Sequence, residues 1–82
     1  MEEFKKWLKR SAALDGRSNK DVVSRVRRAA KFVKLDSKSD IEDLLHRMSK
    51  HPEFKGLSAS VRSQLRRAVK LYRQFQSQTS KD

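Results

Sequence analysis

The chain reads as an all-α protein, one small domain of four helices. Three observations predict this. Apolar residues recur at helical spacing in four stretches, and no stretch alternates apolar and polar side chains as a half-buried strand would. Stop signals such as Asp15-Gly16-Arg17 and turn formers such as His51-Pro52 fall between those stretches. Each later stretch also opens on Ser, Asn or Asp, the residues that cap helix N-termini.

The first helix is predicted from about Glu2 to Leu14, with Phe4, Trp7, Leu8 and Ser11 or Ala12 on its inner side; Gly16 ends it. Ser18-Asn19-Lys20-Asp21 reads as a cap with an acid three residues on, opening a second helix to about Lys34. Val22, Val23, Val26, Ala29, Ala30 and Val33 form its inner face, a small and β-branched surface suited to close helix packing. Asp36-Ser37-Lys38 is a loop, and Ser39-Asp40-Ile41-Glu42 is a second capping box. The third helix then runs to about Ser49, buries Ile41, Leu44, Leu45 and Met48, and places its acids at the end that the helix dipole favours.

From Lys50 to Gly56 the sequence is turn-rich, with Phe54 and Leu57 directed to the core. Ser58 or Ser60 caps the fourth helix, which runs to about Gln76 on Val61, Leu65, Ala68, Val69, Tyr72 and Phe75. Residues 1–76 thus make the domain. Residues 77–82 are polar and without periodicity, a flexible tail or linker.

At 82 residues the chain buries only about 60% of its unfolded surface, and with no cysteine neither a disulfide nor a thiolate zinc site adds to the core. His46 and His51 lie too far apart, with Pro52 following, to present paired ligands from a helix, so no metal or other cofactor is expected. No apolar run is long enough to span a membrane, and the N-terminus lacks signal-peptide character. The expected location is cytoplasmic, with nucleoid association if the source is bacterial or a phage.

Charge carries the functional information. The net charge is +11, and its distribution is uneven: residues 18–34 hold six bases and one acid, residues 58–75 hold five bases and no acid, and residues 35–57 are slightly acidic. The two basic segments also share a pattern. Ser24-Arg25-Val26-Arg27-Arg28-Ala29-Ala30-Lys31-Phe32-Val33 reappears as Ser63-Gln64-Leu65-Arg66-Arg67-Ala68-Val69-Lys70-Leu71-Tyr72, with five positions identical. At about 100° per residue, Ser24, Arg27, Arg28 and Lys31 share one helical face and Ser63, Arg66, Arg67 and Lys70 repeat it, opposite the apolar stripe.

Arg grips phosphate or a guanine edge with a planar fork, and Lys supplies a point charge for phosphate. Lys20 and Lys34 lengthen the first basic stripe, Arg62 and Arg73 the second, and Ser58 and Ser60 sit where helix N-terminal amides favour phosphate. Solvated helix faces usually mix signs for pairing one turn apart, whereas these faces almost lack acids. The pattern predicts a protein that binds double-stranded DNA through helices 18–34 and 58–76. An alternative is a basic helical module for protein interaction or for anionic membranes, although Val and Ala on the second helix suit packing more than insertion. The acidic third helix offers a separate surface for a protein partner.

Enzyme motifs are absent: there is no phosphate-cradling Gly-rich loop, no Gly-x-Ser-x-Gly, no paired His ligands and no Cys nucleophile. Asp40 and Asp43 are explained by helix-start effects. Trp7 and Tyr72 fall on apolar stripes, so they are read as core residues and not as base-stacking platforms, which disfavours RNA.

Phe4-x-x-Trp7-Leu8, the helix from Ser24 to Phe32, Ser39-Asp40-Ile41-Glu42-Asp43-Leu44-Leu45, and the run from Leu57 through Arg66-Arg67-Ala68 to Phe75 together resemble the N-terminal core-binding domain of tyrosine recombinases, the phage integrases. The likeness covers nearly the whole chain and is one of helix pattern. It implies a compact four-helix SAM-like orthogonal bundle that forms half of a clamp on DNA, with the second and fourth helices toward the major groove. It also implies a role in DNA integration and recombination without catalysis by this chain, since the family's catalytic Arg, Lys, His and Tyr belong to a larger C-terminal domain. Tyr72, on the apolar stripe, does not match that nucleophile.

Overall fold

The computed structural model describes residues 2–11, 16–35 and 40–79, and in these the protein is all-α. Five helical segments follow in order: α1 (Glu2–Ser11), α2 (Arg17–Ala29), α3 (Ile41–Lys50), α4 (Pro52–Lys55) and α5 (Ala59–Thr79). The Cα envelope measures 34 × 30 × 15 Å. Its thinnest dimension fits two helix layers, given interaxial distances of about 8–10 Å.

The core forms where the apolar stripes meet. Phe4 and Leu8 from α1, Val22, Val23, Val26 and Ala29 from α2, Met48 from α3, Phe54 from α4, and Leu65, Ala68 and Val69 from α5 are buried together. α2 makes its most extensive packing against α5, and α1 packs against both. Near α1, Asn19 at the start of α2 donates to the Lys5 carbonyl at 2.8 Å, and the Phe4 ring meets Tyr72 edge-on at 5.0 Å and Phe75 at 5.3 Å. At the other end Phe32, just past α2, lies 6.1 Å from Phe54, which precedes α5. α2 and α5 therefore run in opposite senses.

Several elements differ from the sequence expectation, each for a physical reason. α2 starts at Arg17 with Gly16 at its N-cap and no side-chain cap bond, so Ser18 is inside the first turn. Asn19 is held by its buried bond to α1, which anchors that turn in place of a local cap. At its other end the helix stops at Ala29, before Lys34. Lys31 and Phe32 amides bond to Arg28 and Ala29 carbonyls, a tightened last turn. That turn leaves Ala30 exposed and brings Phe32 and Val33 against the core, with Leu35 buried. On a continued helix Phe32 would line up with Asp21 and Arg25, whereas past the end of α2 it packs 6.1 Å from Phe54.

α3 begins at Ile41 with Asp40 at the N-cap and no side-chain cap bond, which puts Glu42 at the second helical position instead of the third that a capping box requires. Leu44 and Met48 are buried, while Ile41 and Leu45 are half-buried. The turn-rich link contains a fifth segment: Pro52 opens α4 at the first helical position, and His51 caps it by accepting from the Glu53 amide at 3.2 Å. α4 exists to deliver Phe54, which is 1% exposed.

Ser58, rather than Ser60, caps α5 by accepting from the Val61 amide at 3.3 Å. The helix passes the expected end at Gln76 and reaches Thr79, where the Trp7 indole donates to the Gln78 side chain at 2.6 Å. The expected first-helix residues Ala12 and Leu14, the stop residue Asp15, the loop 36–38, the cap at Ser39 and the last tail residues 80–82 lie outside the described residues.

Gly16 adopts φ 59° and ψ −127°, a region that side-chain-bearing residues rarely enter, and a Cβ there would meet no atom within 4 Å. Replacing it with Ala is therefore expected to cost about 1–3 kcal/mol from the backbone alone. Phe54→Ala should cost more, about 3–5 kcal/mol, since it leaves a cavity beneath the α5 start. Urea unfolding followed by Trp7 fluorescence measures both, and an unchanged midpoint for Gly16→Ala would contradict the assigned backbone.

Candidate nucleic-acid interface

α2 and α5 lie side by side with a groove of about 400 Å³ between their outer edges, lined by Ser18, Asp21, Val22, Arg25, Gln64, Arg67, Ala68 and Leu71. The groove shows which flank of each helix meets the other. On α2 it is the flank of Ser18, Asp21, Val22 and Arg25; on α5 it is the flank of Gln64, Arg67, Ala68 and Leu71. At about 100° per residue, the directions pointing away from the core then carry Ser24 and Arg28 on α2, and Ser63, Arg67 and Lys70 on α5. All five are exposed.

The structure thus brings together only part of the predicted set on one face. Lys20 and Arg27 lie on the flank of α2 turned away from α5, and both are exposed. Lys31 and Lys34 follow the end of α2 at Ala29, so they do not continue its stripe. Arg62, Arg66 and Arg73 lie on the flank of α5 turned away from α2, and all three are half-buried. Arg66 stacks over the Phe54 ring at 5.5 Å, and the Nε of Arg62 is buried with no hydrogen-bond partner. Ser58 is committed to its cap, while Ser60 is exposed in the first turn of α5.

Among the described residues, no ion pair compensates the cations of the shared face. The ion pairs among the described residues are Lys5 with Glu2 and Arg47 with Asp43, one on α1 and one on α3. None of Arg27, Arg28, Arg67 and Lys70 is paired with a described residue. Cations that lack carboxylate partners keep their field for an external anion. The acids of α3 stand apart: Glu42 is exposed and Asp43 is half-buried beside Arg47.

Arg25 is a groove residue that the charge pattern did not single out. It is half-buried in the groove and unpaired with any described residue, although Asp21 stands one turn earlier on the same helix. The repeat held the signal: Arg25 aligns with Gln64, and both line this groove.

Among the described residues no three or more His, Cys, Asp or Glu side chains gather as a metal-binding group. His51 packs its ring 4.8 Å from Phe32 while capping α4, and His46 is exposed on α3. Trp7 and Tyr72 belong to the aromatic cluster around Phe4. No described helix is long and apolar enough to cross a membrane. No family model matches the chain, and neither a curated protein nor a solved structure matches it.

Arg66 and Arg27 hold the same position in the repeat but different environments, which separates their effects on stability. Arg66→Ala should cost about 0.5–1 kcal/mol through the lost contact with Phe54, whereas Arg27→Ala should stay within about 0.5 kcal/mol of wild type. Equal urea midpoints for the two variants would contradict the stacked placement of Arg66.

Proposed function

We propose that the protein binds duplex DNA through the face shared by α2 and α5, as the core-binding half of a tyrosine recombinase or a stand-alone derivative of one. The observation that carries this reading is the joint face itself: Arg28, Arg67 and Lys70 are exposed, and unpaired with any described residue, on two adjacent helices. Within it, Arg28, Arg67 and Lys70 hold phosphates, and Ser24 and Ser63 stand between them as hydroxyl donors to phosphate or base edges. Arg27, Lys31 and Arg66 reach the flanking backbone, with Lys20, Lys34, Arg62 and Arg73 adding to the field. The resemblance supplies the finer fold reading, a SAM-like orthogonal bundle in which α1, α2, α3 and α5 are the family's four helices and α4 is a one-turn link.

The membrane alternative requires an apolar face free to insert. On α2 that face is consumed by the core, since Val22, Val23, Val26 and Ala29 are all buried. The reading also assigns no catalysis to this chain: its contribution is positioning on DNA, while strand cleavage belongs to another domain.

Neutralising a duplex phosphate releases counterions and contributes about −0.9 to the slope of log affinity against log salt. Three contacts on the shared face give about −3, and six, with Arg27, Lys31 and Arg66 included, give about −5. A fluorescence-anisotropy titration of a labelled duplex should fall in this range, and a slope near zero would remove the proposal. The combined change Arg28→Ala and Lys70→Ala should lower the magnitude of the slope by about two, equally for unrelated duplex sequences. Binding to anionic vesicles at about 150 mM salt that exceeded binding to duplex would favour the membrane alternative instead.

A further inference from the structure

The groove between α2 and α5 differs from the faces beside it in shape. A convex helix face can enter a DNA groove, whereas a concave channel between two helices fits a ridge, and the ridge of a duplex is its phosphodiester backbone. The channel holds one arginine from each helix: Arg25, half-buried and unpaired with described residues, and Arg67, exposed on α5. Gln64 adds an amide donor on the α5 side, at the repeat position equivalent to Arg25.

We infer that this groove seats one backbone phosphate of duplex DNA, gripped between Arg25 and Arg67. The inference rests on the DNA-binding reading and adds to it a defined site and a residue outside the predicted basic set. Two guanidiniums converging on one phosphate give charge-assisted, geometrically specific hydrogen bonds that a lone surface lysine does not. Half-burial strengthens the attraction, because a partly desolvated arginine is less screened by salt than an exposed one. Asp21, which is the single acid of residues 18–34, lines the same groove and opposes a second phosphate there. The groove therefore fixes the position of one strand against the two helices, while the flanking cations act without such positioning.

One phosphate shared by two arginines has a specific thermodynamic signature. Salt titrations of the full chain with a labelled duplex should show Arg25→Ala and Arg67→Ala each lowering affinity about tenfold with little change in slope, because the remaining arginine still neutralises the shared phosphate. The double variant alone should lose about one from the slope magnitude, because only then is the single phosphate released; independent contacts to two phosphates would lose about one in each single variant and about two in the double. Arg25→Gln, which retains the packed stem of the side chain, should reproduce the loss, so an effect seen only with Ala would be a packing effect and would overturn the site. Asp21→Asn should tighten duplex binding more than Glu42→Gln on distant α3.

The failures are distinguishable. A wild-type slope near zero defeats DNA binding as a whole. Unchanged affinity in Arg25→Ala and Arg25→Gln, or a slope that falls by about one in each single variant and about two in the double, with wild-type binding intact, overturns the seat alone. Weakened binding of these variants to phosphatidylglycerol vesicles or to inorganic phosphate, with duplex binding unaffected, assigns the groove to another phosphate source and likewise overturns it.

Discussion

The pairing of α2 with α5 is the interaction on which the rest of the molecule depends. It rests on aliphatic side chains, most of them small: Val22, Val26 and Ala29 are buried from one helix, and Leu65, Ala68 and Val69 from the other. Small residues allow the axes to approach closely, and close approach sets two strongly basic helices side by side. The electrostatic cost is tolerable. Two unit charges about 10 Å apart in water repel by about 0.4 kcal/mol before salt screening, whereas burying one Val or Leu contributes about 1.5–3 kcal/mol. Packing wins by a wide margin, so the protein can hold these cations together with Asp21 as the acid that lines the groove among them.

α5 connects the two ends of this arrangement. Its 21 residues reach about 31 Å at the usual helical rise, close to the longest dimension of the molecule, 34 Å. Its C-terminal half closes on α1 through Phe4, Tyr72 and Phe75, and its start lies over Phe54, where Arg66 stacks. The same helix therefore serves as core element on one side and as half of the basic face on the other. Three of its five cations, Arg62, Arg66 and Arg73, are drawn into half-buried positions away from α2. They contribute to packing as well as to charge, which is why a basic residue on a helix cannot be assigned to an interface from its spacing alone.

Helix existence and the inner faces were legible because each stripe repeats over several turns and the core uses nearly all of it. Leu65, Ala68 and Val69 were expected inside and are buried; Phe54, expected to leave its loop for the core, does so. The ends were less legible. Local signals pointed to Ser18 as a cap, yet the hydrogen bond from Asn19 to Lys5 anchors the turn across two helices, a partner separated in sequence. Periodicity continued through Lys31 and Val33, but the helix ends at Ala29, and Phe32 beyond it packs beside Phe54 and His51, partners distant in sequence. Gln78 gave no apolar signal, and the indole of Trp7 holds it in α5.

From the sequence alone followed the all-α class, the apolar stripe of each helix and the presence of two acid-poor basic segments, because these depend on side chains a few residues apart. Which cations meet on one face was decided only by the tertiary structure. A helix wheel orders residues around an axis without saying which flank a neighbour covers, and the placement of α5 against the Asp21 and Arg25 flank of α2 settles that question. It groups Arg28 with Arg67 and Lys70, turns Arg27 and Arg66 to opposite sides, and makes Arg25 part of the groove.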